Sequence, residues 1–263
     1  MDWIEVNGTA LRYDITGEGP STLVLVHEMG GTLESWDQVV PALARERRVL
    51  RYDTRGAGLS EKIRGAVTFD IMAADLIALL GALGIGGTVA LAGCAVGGGV
   101  VLHTAARYPD RVTALIAMGP ATGVAAERRA ATIARAEAME RLGPAGVIEE
   151  SFAASYPPEV RHDAEQYRRF RARWLANDPE SYGAIYRMLA DARIDEGLGG
   201  IACPALLLAG TKDRLRPTAL VETLARAMPA ARFRALETGH FMAVQTPERV
   251  AEVVGGFLGS LGL

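Results

Sequence analysis

Leu91-Ala92-Gly93-Cys94-Ala95-Val96-Gly97-Gly98-Gly99 is the stretch that decides how this chain folds. An apolar β-type run, Thr88 to Leu91, leads into it, and a helix-type run, Val100 to Tyr108, leads out. The pattern is small-x-nucleophile-x-small, the frame of a strand–turn–helix elbow. Such a turn is strained and crowded, so a Cβ on either flank clashes with neighbouring backbone. With Ala95 at the centre, both flanks are glycine, Gly93 and Gly97. With Cys94 at the centre, the flanks are Ala92 and β-branched Val96, where a small residue is needed. Sterics favour the Ala95 frame and leave Cys94 as the other candidate, a thiol nucleophile. The structural reading of Cys94 is a small buried hydrophobe under the turn. In the Ala95 frame the attacking hydroxyl is missing.

Size and composition narrow the rest. At 263 residues, one α/β domain with an inserted subdomain is the natural size, and a hydrophobic fraction of 49% supports a large core. A formal net charge of -3 gives no sign of a nucleic-acid or anionic-membrane partner. Cys94 and Cys203 both sit in apolar β-type contexts, which argues against a disulfide framework. The start, Met1-Asp2-Trp3-Ile4-Glu5, lacks the basic-then-apolar pattern of a signal peptide, and no apolar run is long enough to span a bilayer. The expectation is a cytoplasmic protein acting on a small molecule, with no cofactor and no metal; oligomeric state is left open.

Ile4-Glu5-Val6-Asn7-Gly8 followed by Leu11-Arg12-Tyr13-Asp14-Ile15 alternates, predicting an antiparallel hairpin turning at Asn7-Gly8. Continuous apolar runs then predict parallel strands buried on both faces: 23–26, 49–52, 89–91, 114–118, 205–209 and 232–236. Helical patterns alternate with them at 35–44, 71–83, 98–107, 217–228 and 247–258. Such alternation predicts a doubly wound, mostly parallel α/β sheet. It breaks between about 121 and 200, a segment with four helical patterns (125–142, 145–155, 158–176 and 179–190) that carries seven of the chain's sixteen aromatic residues. The expected organisation is a core of residues 1–120 and 201–263 with a helical cap of residues 121–200. One reading of the aromatics is the core of a small subdomain. The other is a pocket wall, with Phe152, Tyr156 and Trp174 the first candidates.

In Leu206-Leu207-Leu208-Ala209-Gly210-Thr211-Lys212-Asp213 an aspartate follows a buried strand, and in Leu236-Glu237-Thr238-Gly239-His240 a histidine follows the next. A base takes the nucleophile's proton, and a carboxylate fixes the base's tautomer and stabilises its cation. An aspartate after a strand is often only a turn residue. The order nucleophile position, Asp213, His240, each beyond a strand's carboxyl end, favours a catalytic set. His103 lies in a helix, His162 in the cap, and His27 ends a strand whose loop it shapes, so none of these competes. The amide of Val96, next after the elbow centre, is the expected donor to an oxyanion.

These residues, with Leu50-Arg51-Tyr52-Asp53-Thr54-Arg55-Gly56-Ala57-Gly58-Leu59-Ser60, Ala106-Arg107-Tyr108-Pro109-Asp110-Arg111-Val112 and Cys203-Pro204-Ala205-Leu206-Leu207-Leu208-Ala209-Gly210, resemble the α/β-hydrolase superfamily over the whole length. Within it the chain is similar to the 3-oxoadipate enol-lactonase-like group of esterases and lactonases. The resemblance of His27-Glu28-Met29-Gly30-Gly31 to the His-Gly-x-Gly-Gly loop implies that Met29 supplies the second oxyanion amide. Glu28 stands where that loop has glycine; a substrate-binding or proton-handling role is open to it. The activity implied is cleavage of a small ester or lactone by acyl transfer to a serine, with this chain a Ser→Ala variant at position 95. A small-molecule receptor on the same pocket, or a C–C bond or amide hydrolase, is the alternative.

Overall fold

The computed structural model describes residues 1–263. The alternating opening folds as β1 (Asp2–Val6) and β2 (Thr9–Thr16), paired antiparallel across Asn7 and Gly8. Both turn residues have positive φ, 50° and 68°, the conformation a two-residue hairpin turn requires. The apolar runs become β3 (Thr22–Val26), β4 (Arg48–Tyr52), β5 (Val89–Cys94), β6 (Val112–Met118), β7 (Ala205–Gly210) and β8 (Ala231–Leu236). They form one sheet in the order β1-β2-β4-β3-β5-β6-β7-β8, parallel from β4 through β8.

Helices cover both faces: α1 (Val40–Leu43), α2 (Phe69–Ala82), α3 (Val96–Arg107), α4 (Arg129–Ser155), α5 (Ala164–Leu175), α6 (Pro179–Asp191), α7 (Thr218–Arg226), α8 (Met242–Gln245) and α9 (Pro247–Gly259). Successive strand residues point to opposite faces. Val24 and Val26 therefore join a core with Leu76 and Leu79 of α2 and Val100 of α3, whereas Leu23 and Leu25 join one with Val40 of α1 and Val250 and Phe257 of α9. The sheet is thus buried on both sides, which is why its strands read as unbroken apolar runs. No helix is long and apolar enough to cross a membrane.

Two expected helices differ in detail. The pattern at 35–44 folds as a short 3-10 turn, Leu33–Trp36, and the single turn α1, because Pro41 is tolerated only in a helix's first turn and forces a new start. The pattern at 158–176 begins late, at Ala164, where the Asp163 carboxylate caps the helix by accepting from the amides of Glu165 and Gln166. The cap patterns 125–142 and 145–155 run as one element, α4, bent at Gly143 (φ 68°) ahead of Pro144.

Strand β5 enters α3 through the tightest packing in the sheet's centre. A Cβ on Gly97 would lie 2.2 Å from the Val26 carbonyl oxygen and 2.5 Å from that of His27, both backbone atoms that cannot step aside. Gly97→Ala is therefore expected to destabilise the protein by about 3 kcal/mol or more in urea unfolding. Gly86→Ala, with nothing within 4 Å of its new methyl, is expected to stay within about 0.5 kcal/mol of the parent. Equal effects at the two sites would refute the packing argument.

Candidate active site

Three turns converge beyond the carboxyl ends of parallel strands: Ala95 after β5, Asp213 after β7 and His240 after β8. Ala95 takes φ 51° and ψ -113°, a region that costs a non-glycine residue about 1–3 kcal/mol. Its backbone is held from both sides. Its amide donates to the Met118 carbonyl at 2.8 Å, and its own carbonyl accepts from Gly99 at 3.1 Å and Ala121 at 2.8 Å. Gly93 admits no side chain either, since a Cβ there would lie 2.2 Å from the Gly97 carbonyl oxygen.

Asp213 and His240 are brought together by β7 and β8 pairing in register up to Gly210 and Leu236. His240 Nδ1 lies 2.8 Å from Asp213 Oδ2. The other carboxylate oxygen accepts from the amides of Leu215 at 2.8 Å and Arg216 at 2.9 Å. Burial opposes ionisation of Asp213, but His240 and these two amides outweigh it and hold the carboxyl below its usual range. With Nδ1 donating to the carboxylate, Nε2 of His240 is left as the acceptor. Gly119, at the end of β6, leaves room for the pair: a Cβ there would come within 3.1 Å of Asp213 Oδ2.

Val96 begins α3, so its amide has no acceptor within the helix. Neither it nor the Met29 amide donates to any loop carbonyl or side chain. The Met29 loop is fixed by its neighbours. His27 Nδ1 donates to the Glu28 carbonyl at 2.7 Å, while its Nε2 accepts from the Thr54 amide at 3.0 Å. Glu28 is buried; its Oε1 accepts from the Ser35 hydroxyl at 2.6 Å, and its Oε2 has no partner. The carboxylate folds back beneath its own turn, so a Cβ on Gly31 would meet Oε1 at 2.1 Å.

Cys94 is fully buried against the core on the α9 side, its thiol donating to the His240 carbonyl at 3.4 Å. Burial, and after it the Glu28 charge, push this thiol well above its ordinary value, which disfavours the thiolate a nucleophile needs. His103 pairs with Asp70 on the outer surface and His162 is exposed, both away from the convergent turns.

The cap reaches the Met29 loop at several points. A Cβ on Gly30 would strike Trp174 Nε1 at 2.5 Å and Tyr182 Cε2 at 3.1 Å, and Asn177 Nδ2 donates to the Gly30 carbonyl at 3.0 Å. Gln245 of α8 donates to the Ser155 carbonyl at 2.9 Å, tying the loop after His240 to the end of α4. A cavity of about 30 Å³ lies beside Met29, Gly30 and Val96. Its cap wall comes from Asn177, Ser181, Tyr182 and Ile185; Ala95, Asp213 and His240 do not line it, nor does the expected Trp174, nor do the expected Phe152 and Tyr156. Those two rings pack with Tyr167, Phe170, Trp174 and Phe241, because clustered aromatics bury more surface against one another than over an open floor. Asn177 and Ser181 carried only a helix-start signal in the sequence, around the Asp178 cap, and nothing there marked them as cavity residues. A larger cleft, about 950 Å³, opens between α2 and α6 and touches none of Ala95, Asp213 and His240.

Residues 21–247 match the family described as alpha/beta hydrolase fold. The chain is 26% identical to 3-oxoadipate enol-lactonase 1 of Acinetobacter baylyi, covering 97% of this chain and 95% of that one. A thermophilic esterase from Thermogutta terrifontis superposes with a TM-score of 0.93 at 28% identity, over 99% of both chains. The enol-lactonase from Burkholderia xenovorans LB400 superposes with a TM-score of 0.91 at 27% identity, over 98% of this chain and 100% of that one. The chain therefore belongs to the alpha/beta hydrolase fold family.

Proposed function

We propose that this is a site for hydrolysis of a small ester or lactone by acyl transfer at position 95, in a chain that carries alanine where the attacking serine belongs. His240 is the base, Asp213 its orienting carboxylate, and the amides of Val96 and Met29 hold the carbonyl oxygen as it gains charge. The 2.8 Å contact between His240 and Asp213 beside a strained elbow carries this reading. The esterase and enol-lactonase relatives support the substrate class. With no hydroxyl at 95, the chain as it stands binds substrate in the same pocket without acyl transfer. That absence favours a second reading, a small-molecule receptor.

Ala95→Ser separates the two. The variant is expected to hydrolyse members of a panel of short aryl esters and enol-lactones about 10³-fold faster than the parent, the typical scale of restoring a triad member. Amides and vinylogous diketones in the same panel test amide and C–C bond cleavage. A folded serine variant with no gain on any of them would favour the receptor.

Asp213 also makes a pH signature. Its carboxyl is held below its ordinary value in the folded state. Its contribution to stability is therefore full above the unfolded value of about 4 and is lost as pH falls through the folded value. Asp213→Asn is expected to be less stable than the parent near neutrality, with the difference shrinking below about pH 4 in urea titrations. A difference that stays constant from neutral to strongly acidic pH would show that the carboxylate charge contributes nothing.

A further inference from the structure

His240 and the unpaired amides of Val96 and Met29 each lie beyond the carboxyl end of a parallel strand, with no nucleophile at position 95. We propose that the chain as it stands, alanine at position 95 included, catalyses proton transfer at carbon next to a carbonyl, enolising small ketones and esters. The proposal shares His240 and the amide pair with the hydrolytic reading and rests on that part of it.

The elbow is the first ground. Ala95 holds a positive φ of 51° although it has no hydroxyl to aim. What the strained turn still positions is the Val96 amide at the start of α3. The Met29 amide, likewise without an acceptor, sits across the same cavity, where both residues contribute to the wall. Paired N–H donors at a helix start stabilise an enolate oxygen as they do a tetrahedral oxyanion, because both place negative charge on the former carbonyl oxygen.

The base is the second ground. Asp213 takes Nδ1 of His240, leaving Nε2 to accept a proton. In an acyl-transfer enzyme that nitrogen reaches substrate through the serine hydroxyl. With a methyl group at 95, that hydroxyl is absent. Burial is the third ground: Ala95 is 3% exposed and His240 7%. Burial at these two residues strengthens the electrostatic contacts made to an enolate.

The step balances without a co-reactant. The C–H bond breaks and its proton passes to Nε2. The bond's electrons form the C=C bond as the carbonyl π pair moves to oxygen, between the Val96 and Met29 amides. The imidazolium then returns a proton to carbon, restoring the ketone, or to oxygen, releasing the enol.

Phenylacetone and methyl phenylacetate, a ketone and an ester that share a benzylic carbon next to the carbonyl, test this in deuterated buffer by proton NMR of the benzylic position. The parent is expected to speed exchange of phenylacetone with saturation, and His240→Gln, shown folded by circular dichroism, is expected to lose about 100-fold of that rate. Asp213→Asn is expected to slow exchange as well, since the imidazole loses its orienting carboxylate. Exchange no faster with the parent than with His240→Gln overturns the proposal. Hydrolysis of methyl phenylacetate by Ala95→Ser is read in parallel. Hydrolysis without parental exchange leaves the hydrolytic reading standing and sinks this one. Parental exchange without hydrolysis by the serine variant does the reverse.

Discussion

The contact on which the rest depends is backbone against backbone where β5 turns into α3. Gly93 lies under the Gly97 carbonyl, and Gly97 lies against the carbonyls of Val26 and His27, with no room for a side chain at either position. This approach brings the end of β3, the end of β5 and the start of α3 to one point. The Met29 loop leaves from the first, Ala95 sits on the second, and the Val96 amide opens from the third. A hydrogen bond to the Met118 carbonyl and two from the Gly99 and Ala121 amides then leave Ala95 little choice of conformation, and the surrounding sheet absorbs the strain. An amide aimed at a cavity is thus a property of the strand spacing, independent of what side chain residue 95 carries.

Two levels of support stand behind the polar groups. Asp213 is fixed by two turn amides before it meets His240, so the imidazole is oriented by a carboxylate that is itself unable to rotate. The Met29 loop is fixed by a histidine that bridges the Glu28 carbonyl and the Thr54 amide, and by a buried glutamate held to Ser35. Glu28 differs from Asp213 in one respect. Its second oxygen has no partner, and a buried carboxylate oxygen without a donor is costly. The loop that carries Met29 is therefore held through one oxygen of Glu28, whereas both oxygens of Asp213 are engaged.

Much of this was legible from residue order. The sheet strands are apolar on both faces and announce themselves, and the residues that converge at the carboxyl edge each follow one of those runs. Gly93 and Gly97 identified the centre of the elbow because steric exclusion is a local property of a turn. The cap resisted the same approach. Its aromatics gave the right hydrophobic inventory, but which ring faces a cavity depends on how α4 bends at Gly143 and where Asp163 starts α5. Phe152 and Tyr156 consequently ended in the cap's own core, while Asn177 and Ser181, ordinary helix-cap residues in sequence, reached the cavity. The partner of the Glu28 carboxylate, Ser35, is also a matter of a 3-10 turn that the helical pattern at 35–44 concealed.

The cap's self-packing has a mechanical consequence. Phe152, Tyr156, Phe170 and Trp174 form one cluster with Phe241, the residue next to His240, and Gln245 bonds the end of α4 from the same loop. The cap is thereby tied to the loop that carries His240, and Trp174, Tyr182 and Asn177 tie it to the loop that carries Met29. The cavity of about 30 Å³ lies along this second seam, with Tyr182 and Asn177 on its cap side and Met29 and Gly30 on the other. The two seams differ in kind: the one at Phe241 is a continuous aromatic cluster, whereas at Gly30 the contacts are an edge of an indole, one phenol ring and one amide.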